Sequence, residues 1–341
     1  MKLKSADLVS TDSESIPYDG AQGEHSHEQI DWIRCIPFIL LHVACGAVIW
    51  VGWSPIALLV AGAMYVFHMF VITAFYHRYF SHRAFKTSRV FQFVGAVAAT
   101  SSAQRGPLWW AAHHRHHHKH SDGPEDVHSP GVRGLLMSHV GWFMTKGAFK
   151  TPERYVRDWS KYAELRFINR FDWLSPVLLA CGLFGFGALL NMAAPSLGTN
   201  GWQMLVWGFV ISTIAVYHAT YTINSLSHRF GSKRYDTGDD SRNNVWLALI
   251  TLGEGWHNNH HFYPASARQG FKWWEIDLTY YGLIILSRVG LIWDLRGVPQ
   301  RVLNEGGIHS PGNRQAGNRQ AANRQSGDHQ SGKQQAGQDD A

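Results

Sequence analysis

The chain has 341 residues, a net charge of +6 and three cysteines, all in or beside apolar runs. That cysteine placement excludes a disulfide scaffold and a zinc site built on a Cys-x-x-Cys pair. Basic residues are scattered among apolar segments instead of gathered on one polar face, which argues against nucleic-acid binding. The 15 tryptophans and 18 phenylalanines fit a protein that lies in a bilayer and at its interface.

The N-terminal third of the chain predicts a leader and a helical hairpin. Residues 1–30 are polar and acidic and lack the features of a signal peptide, so we expect a loose cytoplasmic leader. Apolar runs over about 34–53 and 56–76 each approach the ~20 residues that a spanning helix needs. His42 and His68 lie inside these runs, without partners at ligand spacing, and we expect structural roles for both.

A second hairpin is predicted later in the chain, with spanning helices over about 173–192 and 202–223. The connections inside the two hairpins contain no Lys or Arg, whereas the segment between the hairpins is rich in both. The positive-inside rule therefore places that segment and both termini in the cytoplasm. The predicted fold is an all-α membrane protein with four transmembrane helices in two hairpins and a cytosolic helical cap.

Two C-terminal segments complete the predicted organisation. Residues 271–293 carry several Trp and Tyr residues among apolar ones, which predicts a helix lying along the membrane interface over the site. From Ser310 onward the chain repeats an Asn-Arg-Gln theme with nothing to bury, which predicts a disordered tail over residues 304–341.

Three histidine boxes dominate the polar part of the sequence. The central box runs from His113 to His120, and in it three histidines stand at i, i+3 and i+4, a spacing that puts them on one face of a helix. The last box repeats this spacing, and the first box pairs two histidines directly after the second apolar run. Eight candidate ligands come from the boxes: His77, His82, His114, His117, His118, His257, His260 and His261. His228, from the element described next, is the ninth. Because imidazole is a good ligand for iron, zinc, copper or nickel, three boxes in one chain predict a metal site.

A polar pair ends the fourth apolar run. Asn224 and His228 are i, i+4 neighbours and should point the same way. Such a pair is often a helix cap at the membrane interface. Here it offers an amide and a further imidazole to the predicted metal site.

Taken in order, His-x4-His, His-x2-His-His, Asn-x3-His and His-x2-His-His around two apolar hairpins resemble the membrane-bound fatty acyl desaturases of the stearoyl-CoA delta-9 type. The resemblance runs from about Ile36 to Val302 and implies a desaturase domain over residues 31–303. It implies two iron ions, with Asn224 reaching one of them through water. The implied metal ligands are His77, His82, His114, His117, His118, Asn224, His228, His257, His260 and His261. His113, His116 and His120 fall outside this pattern.

The resemblance also implies the reaction: insertion of a cis double bond, at delta-9, into a saturated long-chain acyl group. O2 and a separate electron donor, cytochrome b5 or a ferredoxin with its reductase, are then partners, because no haem-binding His-Pro-Gly-Gly stretch occurs in the sequence. Trp110 and Thr220 match residues at the bend of the family's acyl tunnel. Ala112 and His113 stand where animal members carry an Arg and Asp that help to hold coenzyme A. Acyl-CoA is the expected substrate, with phospholipid or carrier-protein acyl groups as alternatives.

Two other function classes stay open at this point. A membrane hydroxylase of alkanes, fatty acids or carotenoids shares the metal architecture and the first hydrogen abstraction. A metal transporter or sensor is the other, but the apolar runs lack the chain of ionisable residues that an ion path needs.

Overall fold

The computed structural model describes residues 29–305, so nearly all of the predicted leader and of the predicted tail lie outside the described residues. The helices are α1 (Trp32–Val51), α2 (Pro55–Ser81), α3 (Arg89–Thr100), α4 (Pro107–His120), α5 (Pro130–Arg133), α6 (Arg157–Ser160), α7 (Ala163–Arg170), α8 (Leu174–Ala193), α9 (Gly201–His228), α10 (Val245–Ile250), α11 (His257–Phe262), α12 (Leu278–Arg288) and α13 (Gln300–Glu305). Two short strands, β1 (Lys86–Thr87) and β2 (Ile292–Trp293), pair antiparallel.

Four of these helices, α1, α2, α8 and α9, are long and apolar enough to cross a membrane, which confirms the predicted four-helix architecture. α1 and α8 have 20 residues each, whereas α2 has 27 and α9 has 28. Because about 20 residues suffice to cross the hydrocarbon core, α2 and α9 each have about two turns to spare. Their last turns, beyond the predicted ends near residues 76 and 223, carry histidines into the cap.

The first hairpin turns within three residues because α2 begins at once with an N-cap residue, Ser54, followed by Pro55. Ser54 is extended, its hydroxyl accepts a hydrogen bond from the Ala57 amide at 3.1 Å, and Pro55 occupies the first helical position. The Trp207 indole of α9 donates to the Gly52 carbonyl at 2.8 Å. This bond ties the turn of the first hairpin to the second hairpin.

The spanning helices differ in how far they are enclosed by protein. Over its most apolar window α9 is 56% buried, against 6% for α1. α9 is therefore the central helix of the bundle, and α1 packs at its edge with most of its side chains facing outward.

The segments that join and follow the spanning helices α2, α8 and α9 form the cap, which packs around the C-terminal end of α2. Phe75, Phe80 and Phe85 form its apolar core together with Trp159 and Ile292. Because aromatic side chains bury large apolar areas, this cluster fixes the cap over the end of the bundle.

One arginine anchors the central helix of the cap to the bundle. The Arg115 guanidinium donates to the Phe80 carbonyl at 2.6 Å and the Ser81 carbonyl at 2.8 Å, and it pairs with the Asp158 carboxylate at 2.8 Å. The histidines of α4 are thereby held at a fixed position beside the end of α2.

The predicted interface helix over residues 271–293 is shorter than expected. Asp277 starts α12 because its carboxylate accepts a hydrogen bond from the Tyr280 amide at 2.9 Å. Gly290, at φ +77°, lies just beyond its end, where the left-handed backbone region favours glycine. The chain then continues into β2, so a turn, a short helix and a strand replace the single helix.

Candidate metal centre

A π-helical end to α2 brings the two histidines of the first box together. The helix widens into π geometry over Ile72–Ser81, and the His82 amide donates to the His77 carbonyl at 3.2 Å. In an α-helix, residues five apart point in different directions, whereas a π-turn joins i to i+5. The two imidazoles therefore point to the same side, with ring centroids 4.9 Å apart.

The histidines gather into two groups. The five-histidine group consists of His77, His82, His114, His118 and His260, and the four-histidine group consists of His117, His228, His257 and His261. Within each group the ligand atoms lie within 4.8 Å of one another. All nine histidines predicted as ligands are thus brought together, and α4 and α11 each contribute to both groups.

Nε2 atoms meet at close range inside both groups. His82 and His114 are joined at 2.8 Å, His118 and His260 at 2.9 Å, and His77 and His260 at 3.0 Å. In the four-histidine group the Nε2 atoms of His228 and His257 are 3.0 Å apart. A metal–nitrogen bond of about 2.0–2.1 Å separates neighbouring ligands of an octahedron by about 2.9 Å. The spacing of these nitrogens therefore fits a shared metal ion.

Four carboxylates pair with the other ring nitrogen, Nδ1, of four of these histidines. Asp126 accepts from Nδ1 of His117 at 2.9 Å, Asp122 from His228 at 2.7 Å, and Asp239 from His261 at 2.6 Å. Glu254 pairs in the same way with Nδ1 of His77. An Nδ1–H that donates to a carboxylate leaves Nε2 as a lone pair.

Lone pairs that face one another at hydrogen-bond distance repel unless a cation lies between them. The Asp122 contact leaves the Nε2 lone pair of His228 facing Nε2 of His257 at 3.0 Å, where a proton on His257 or a shared cation can satisfy it. Nε2 of His261 is buried and has no hydrogen-bond partner within residues 29–305. The orphaned nitrogen of His261 and the close spacing of the other ring nitrogens therefore fit bound metal ions.

Burial keeps these rings neutral. It lowers the pKa of His82, His114, His118, His257 and His260 well below the ordinary value, and nearby histidines lower it further. A neutral imidazole is the form that binds metal, so these five rings are preset as ligands at pH 7.

A buried network holds the Glu254 carboxylate in place. Arg78 is 1% exposed and donates to Glu254 at 3.1 Å and to Asp277 at 2.9 Å. Gln269 donates to the second oxygen of Glu254 at 3.0 Å. Burial opposes the charge on Glu254, but His77 and Arg78 outweigh it and hold its pKa below the ordinary value.

The two asparagines of the last box have structural roles that the sequence reading did not identify. The Asn258 carbonyl oxygen accepts from the Arg234 and Tyr235 amides, both at 2.8 Å. Asn259 donates to the Gln269 carbonyl at 2.9 Å. These bonds fix α11 in the orientation that sends one of its histidines to one group and two to the other.

A cavity of about 420 Å³ runs from the edge of the bundle to the histidines. His114 and Asn224 line it, as do Trp110 and Thr220, the residues predicted to contact substrate. The Gln104 amide donates to the Thr220 hydroxyl at 3.2 Å across its wall. Asn224 belongs to neither histidine group; it faces the cavity one helical turn before His228.

The intramembrane histidines have partners that sequence spacing did not reveal. Nε2 of His42 lies 3.2 Å from Nε2 of His218, whose Nδ1 lies 3.1 Å from Nε2 of His139. His68 contacts the Ser101 hydroxyl at 3.2 Å. The first three form a chain linking α1, α9 and the cap, so His42 joins helices instead of standing alone.

Removing a carboxylate partner is expected to weaken metal binding without removing a ligand. Asp239→Asn leaves an amide oxygen opposite Nδ1–H of His261, so the ring keeps an acceptor but loses the charged and stronger one. Loss of such a partner costs roughly 10–100-fold in metal affinity. Competition with a chelator, followed by metal analysis, measures this change.

The neighbouring Asp240 provides the control for that experiment. Its side chain is 57% exposed and pairs with Lys233. Asp240→Asn should leave metal affinity within about twofold of the unsubstituted protein, because exposed ion pairs contribute little. Equal effects of the two substitutions would remove the special role assigned to Asp239.

Comparisons with known proteins agree with this geometry. The family model described as fatty acid desaturase matches residues 30–283. The chain is 37% identical over 267 residues to an acyl-CoA 5-desaturase of Anemone leveillei, covering 77% of this chain and 78% of the relative. It is 34% identical over 271 residues to an sn-1 stearoyl-lipid 9-desaturase of Anabaena variabilis, covering 79% and 94%. A hex-5-enoyl-[acyl-carrier protein] acetylenase of Moorena producens is 35% identical over 268 residues, covering 73% and 80%. The chain therefore belongs to the fatty acid desaturase family.

Proposed function

We propose that this chain is an O2-dependent acyl desaturase that inserts a cis double bond, at delta-9, into a saturated long-chain acyl group. The observation that carries the proposal is the meeting of the cavity with the histidine groups. His114 is at once a member of the five-histidine group and part of the cavity wall. A chain lying in the cavity therefore presents its methylene groups to the metal site.

The two histidine groups are proposed to hold one iron ion each, with Asn224 reaching one of them through water. Iron is among the metals that imidazole suits. Bound there, it supplies the O2-derived oxidant that an unactivated methylene pair requires. The reaction balances when a CH2–CH2 unit, O2, two electrons and two protons give a cis CH=CH unit and two water molecules.

The contribution of the chain's own residues is to position the acyl group and to keep water out. The cavity wall is largely aromatic and aliphatic, and it includes Trp109, Trp142 and Phe143. Because every methylene is alike, the position of the double bond must come from where the cavity holds the chain. Trp110 and Thr220 are proposed to hold the acyl chain in position. The Thr220 hydroxyl accepts a hydrogen bond from the Gln104 amide in this part of the wall.

Acyl-CoA is the proposed carrier. Arg34 and Arg105 lie at the cavity wall, with guanidinium carbons 5.4 and 5.2 Å from the centroid of the Phe149 ring. Arg105 pairs with Asp172 at 3.2 Å, whereas the Arg34 side chain is 59% exposed. Guanidinium groups suit the phosphates of coenzyme A. They would also suit a phospholipid head group, and the relatives act on CoA, lipid and carrier-protein substrates, so the carrier needs a direct test.

Electrons are proposed to come from a separate donor, cytochrome b5 or a ferredoxin with its reductase. The chain's net charge of +6 would favour an acidic partner. The proposed topology places the cap, the histidine groups and both termini in the cytoplasm, where such a donor is available.

Fatty acid analysis of a desaturase-deficient host that expresses the chain tests the proposal. Gas chromatography with mass spectrometry should show a new cis-monoene at delta-9, absent with the His117→Ala, His118→Ala double variant. A hydroxylated product would assign the chain to the hydroxylases instead. No product, with loaded iron and a working donor, would overturn the proposal.

The carrier is tested with purified protein, iron, a donor system and O2. Stearoyl-CoA, stearoyl-carrier protein and a stearoyl phospholipid are offered separately at equal concentration. We expect the double bond to form first on the CoA ester. Exclusive reaction of the phospholipid would move the substrate class to membrane lipids and leave desaturation intact.

Thr220→Val tests the substrate role of the cavity wall. The variant keeps the shape of the side chain but leaves the Gln104 amide without its acceptor, at a cost of about 1–3 kcal/mol. If that bond positions the acyl chain, kcat/KM should fall roughly 5–100-fold while the iron content stays the same. Thr222→Val is the control, because within residues 29–305 the Thr222 hydroxyl bonds only to the Ala219 carbonyl of its own helix, at 2.6 Å, and Thr222 is not part of the cavity wall.

A further inference from the structure

A third cluster of side chains of the kinds that bind metals lies on the opposite face of α4 from the nine histidines. His116 and His120, one helical turn apart, and Glu125 from the following loop bring their ligand atoms within 4.8 Å of one another. The two rings have centroids 4.7 Å apart, and Nδ1 of His120 is 3.2 Å from the Glu125 carboxylate. These three residues are called the outer group below.

We propose that the outer group is a separate site for a first-row divalent cation such as zinc. Two imidazoles at i, i+4 and one carboxylate supply three of the ligands that such a cation takes, and water can complete the shell. The His116 ring makes no hydrogen bond within the described part of the chain, and its contacts there are with the rings of His120 and Tyr155. It is therefore available as a ligand.

The loop that carries Glu125 is already folded toward the helix. The Gly123 amide donates to the His120 carbonyl at 2.8 Å, and the Asp126 amide donates to the Gly123 carbonyl at 3.0 Å. The Asp126 carboxylate accepts in turn from the Asp122 amide at 2.9 Å. Because the loop is closed in this way, little ordering remains for cation binding to bring about.

The outer group is connected to the four-histidine group through this loop. Asp122 and Asp126 hold Nδ1 of His228 and His117, and Glu125 lies between them in sequence. A cation that joins Glu125 to α4 would restrain the segment that orients two of the inner histidines. The inferred role is to stabilise the loop.

The surroundings distinguish the outer group from the inner ones. Glu125 is 66% exposed, so the site opens to solvent and exchanges its cation more easily than the buried groups. Lys119 and Arg154 lie against the neighbouring Tyr155 ring, with the Lys119 ammonium 5.9 Å from its centroid. These positive charges weaken cation binding, which makes the outer site weaker than the inner ones.

Metal analysis of the full-length, tag-free protein tests the proposal. Protein loaded with iron is equilibrated with zinc chloride and gel-filtered, and iron and zinc are counted per chain. We expect the unsubstituted protein to keep its iron and gain one zinc, and the His116→Ala, His120→Ala variant to keep its iron and gain none. Displacement of inner iron by zinc would show as lost iron in both proteins, so the outer site is judged on zinc gained without iron loss.

Two further variants sharpen the result. Glu125→Gln leaves both histidines in place and should weaken zinc binding at least ~10-fold in competition with a chelator. Lys119→Gln removes only the nearby charge and should bind zinc as tightly or more tightly. Zinc should also raise the thermal midpoint of the unsubstituted protein and not of the double variant.

The proposal is overturned if the double variant gains the same zinc as the unsubstituted protein, or if neither gains any. It does not depend on desaturase activity, because both readouts are made without substrate.

Discussion

Replacing His260 by alanine is expected to abolish product formation and to lower iron retention. Its Nε2 atom lies within 3.0 Å of the Nε2 atoms of both His77 and His118. His260 is therefore in close contact with two other members of the five-histidine group. Loss of a residue that only orients a ligand costs roughly 10–100-fold in metal affinity or activity, so loss of the ligand itself should cost at least ~100-fold. Product yield and iron per chain, measured on the same preparation, test this.

His257→Ala makes the corresponding change in the four-histidine group and should be equally severe, because the reaction is proposed to need both ions. His113→Gln is the matched control from the central box. His113 belongs to neither group, and its ring contacts the Lys150 carbonyl at 3.1 Å, a bond that glutamine can also make. Product loss with His113→Gln as large as with His260→Ala would contradict the assignment of ligands.

Arg78→Met is expected to destabilise the fold more than any surface substitution. The arginine is buried with Asp277 and Glu254, so its removal leaves two carboxylates in the interior without their cation. Breaking a buried ion pair in this way costs about 3–5 kcal/mol. At roughly 2–4 °C per kcal/mol, the thermal midpoint in detergent should fall by about 10 °C.

Arg83→Met is the control for that substitution. Arg83 is 49% exposed where it pairs with Asp158, and exposed pairs contribute about 0–1 kcal/mol. Its midpoint should therefore change by no more than about 2–4 °C. If both variants unfold at the same temperature, the buried network does not carry the stability assigned to it. A second expected effect of Arg78→Met is lower iron retention, since Glu254 also holds His77.

Six of the nine histidines could be predicted from a local signal. In the central and last boxes, spacings of i, i+3 and i+4 identify a helix face without knowledge of the rest of the fold. The division into two groups could not be read in this way: His117 and His118 are adjacent in sequence, yet they enter different groups because neighbouring helical residues diverge by about 100°. The π-turn that aligns His77 with His82 likewise depends on backbone geometry that composition does not reveal.

The supporting residues were missed because their signal is not local. Asp122 and Asp239 are ordinary loop acids in sequence, and they acquire a role only when folding brings them to His228 and His261. His42 has no partner at ligand spacing in the sequence, because its contact, His218, is 176 positions away. Four spanning helices were predictable from apolar length, whereas the short α12 was not, because its limits depend on a cap and a glycine.

Iron X-ray absorption on the purified protein tests the central claim most directly. Two histidine groups of five and four members predict two iron ions per chain, each in a shell dominated by nitrogen with the multiple scattering of imidazole. His260→Ala and His257→Ala should each reduce the iron count. A catalytically active preparation with one iron per chain, or with a shell of mainly carboxylate oxygen, would contradict the account.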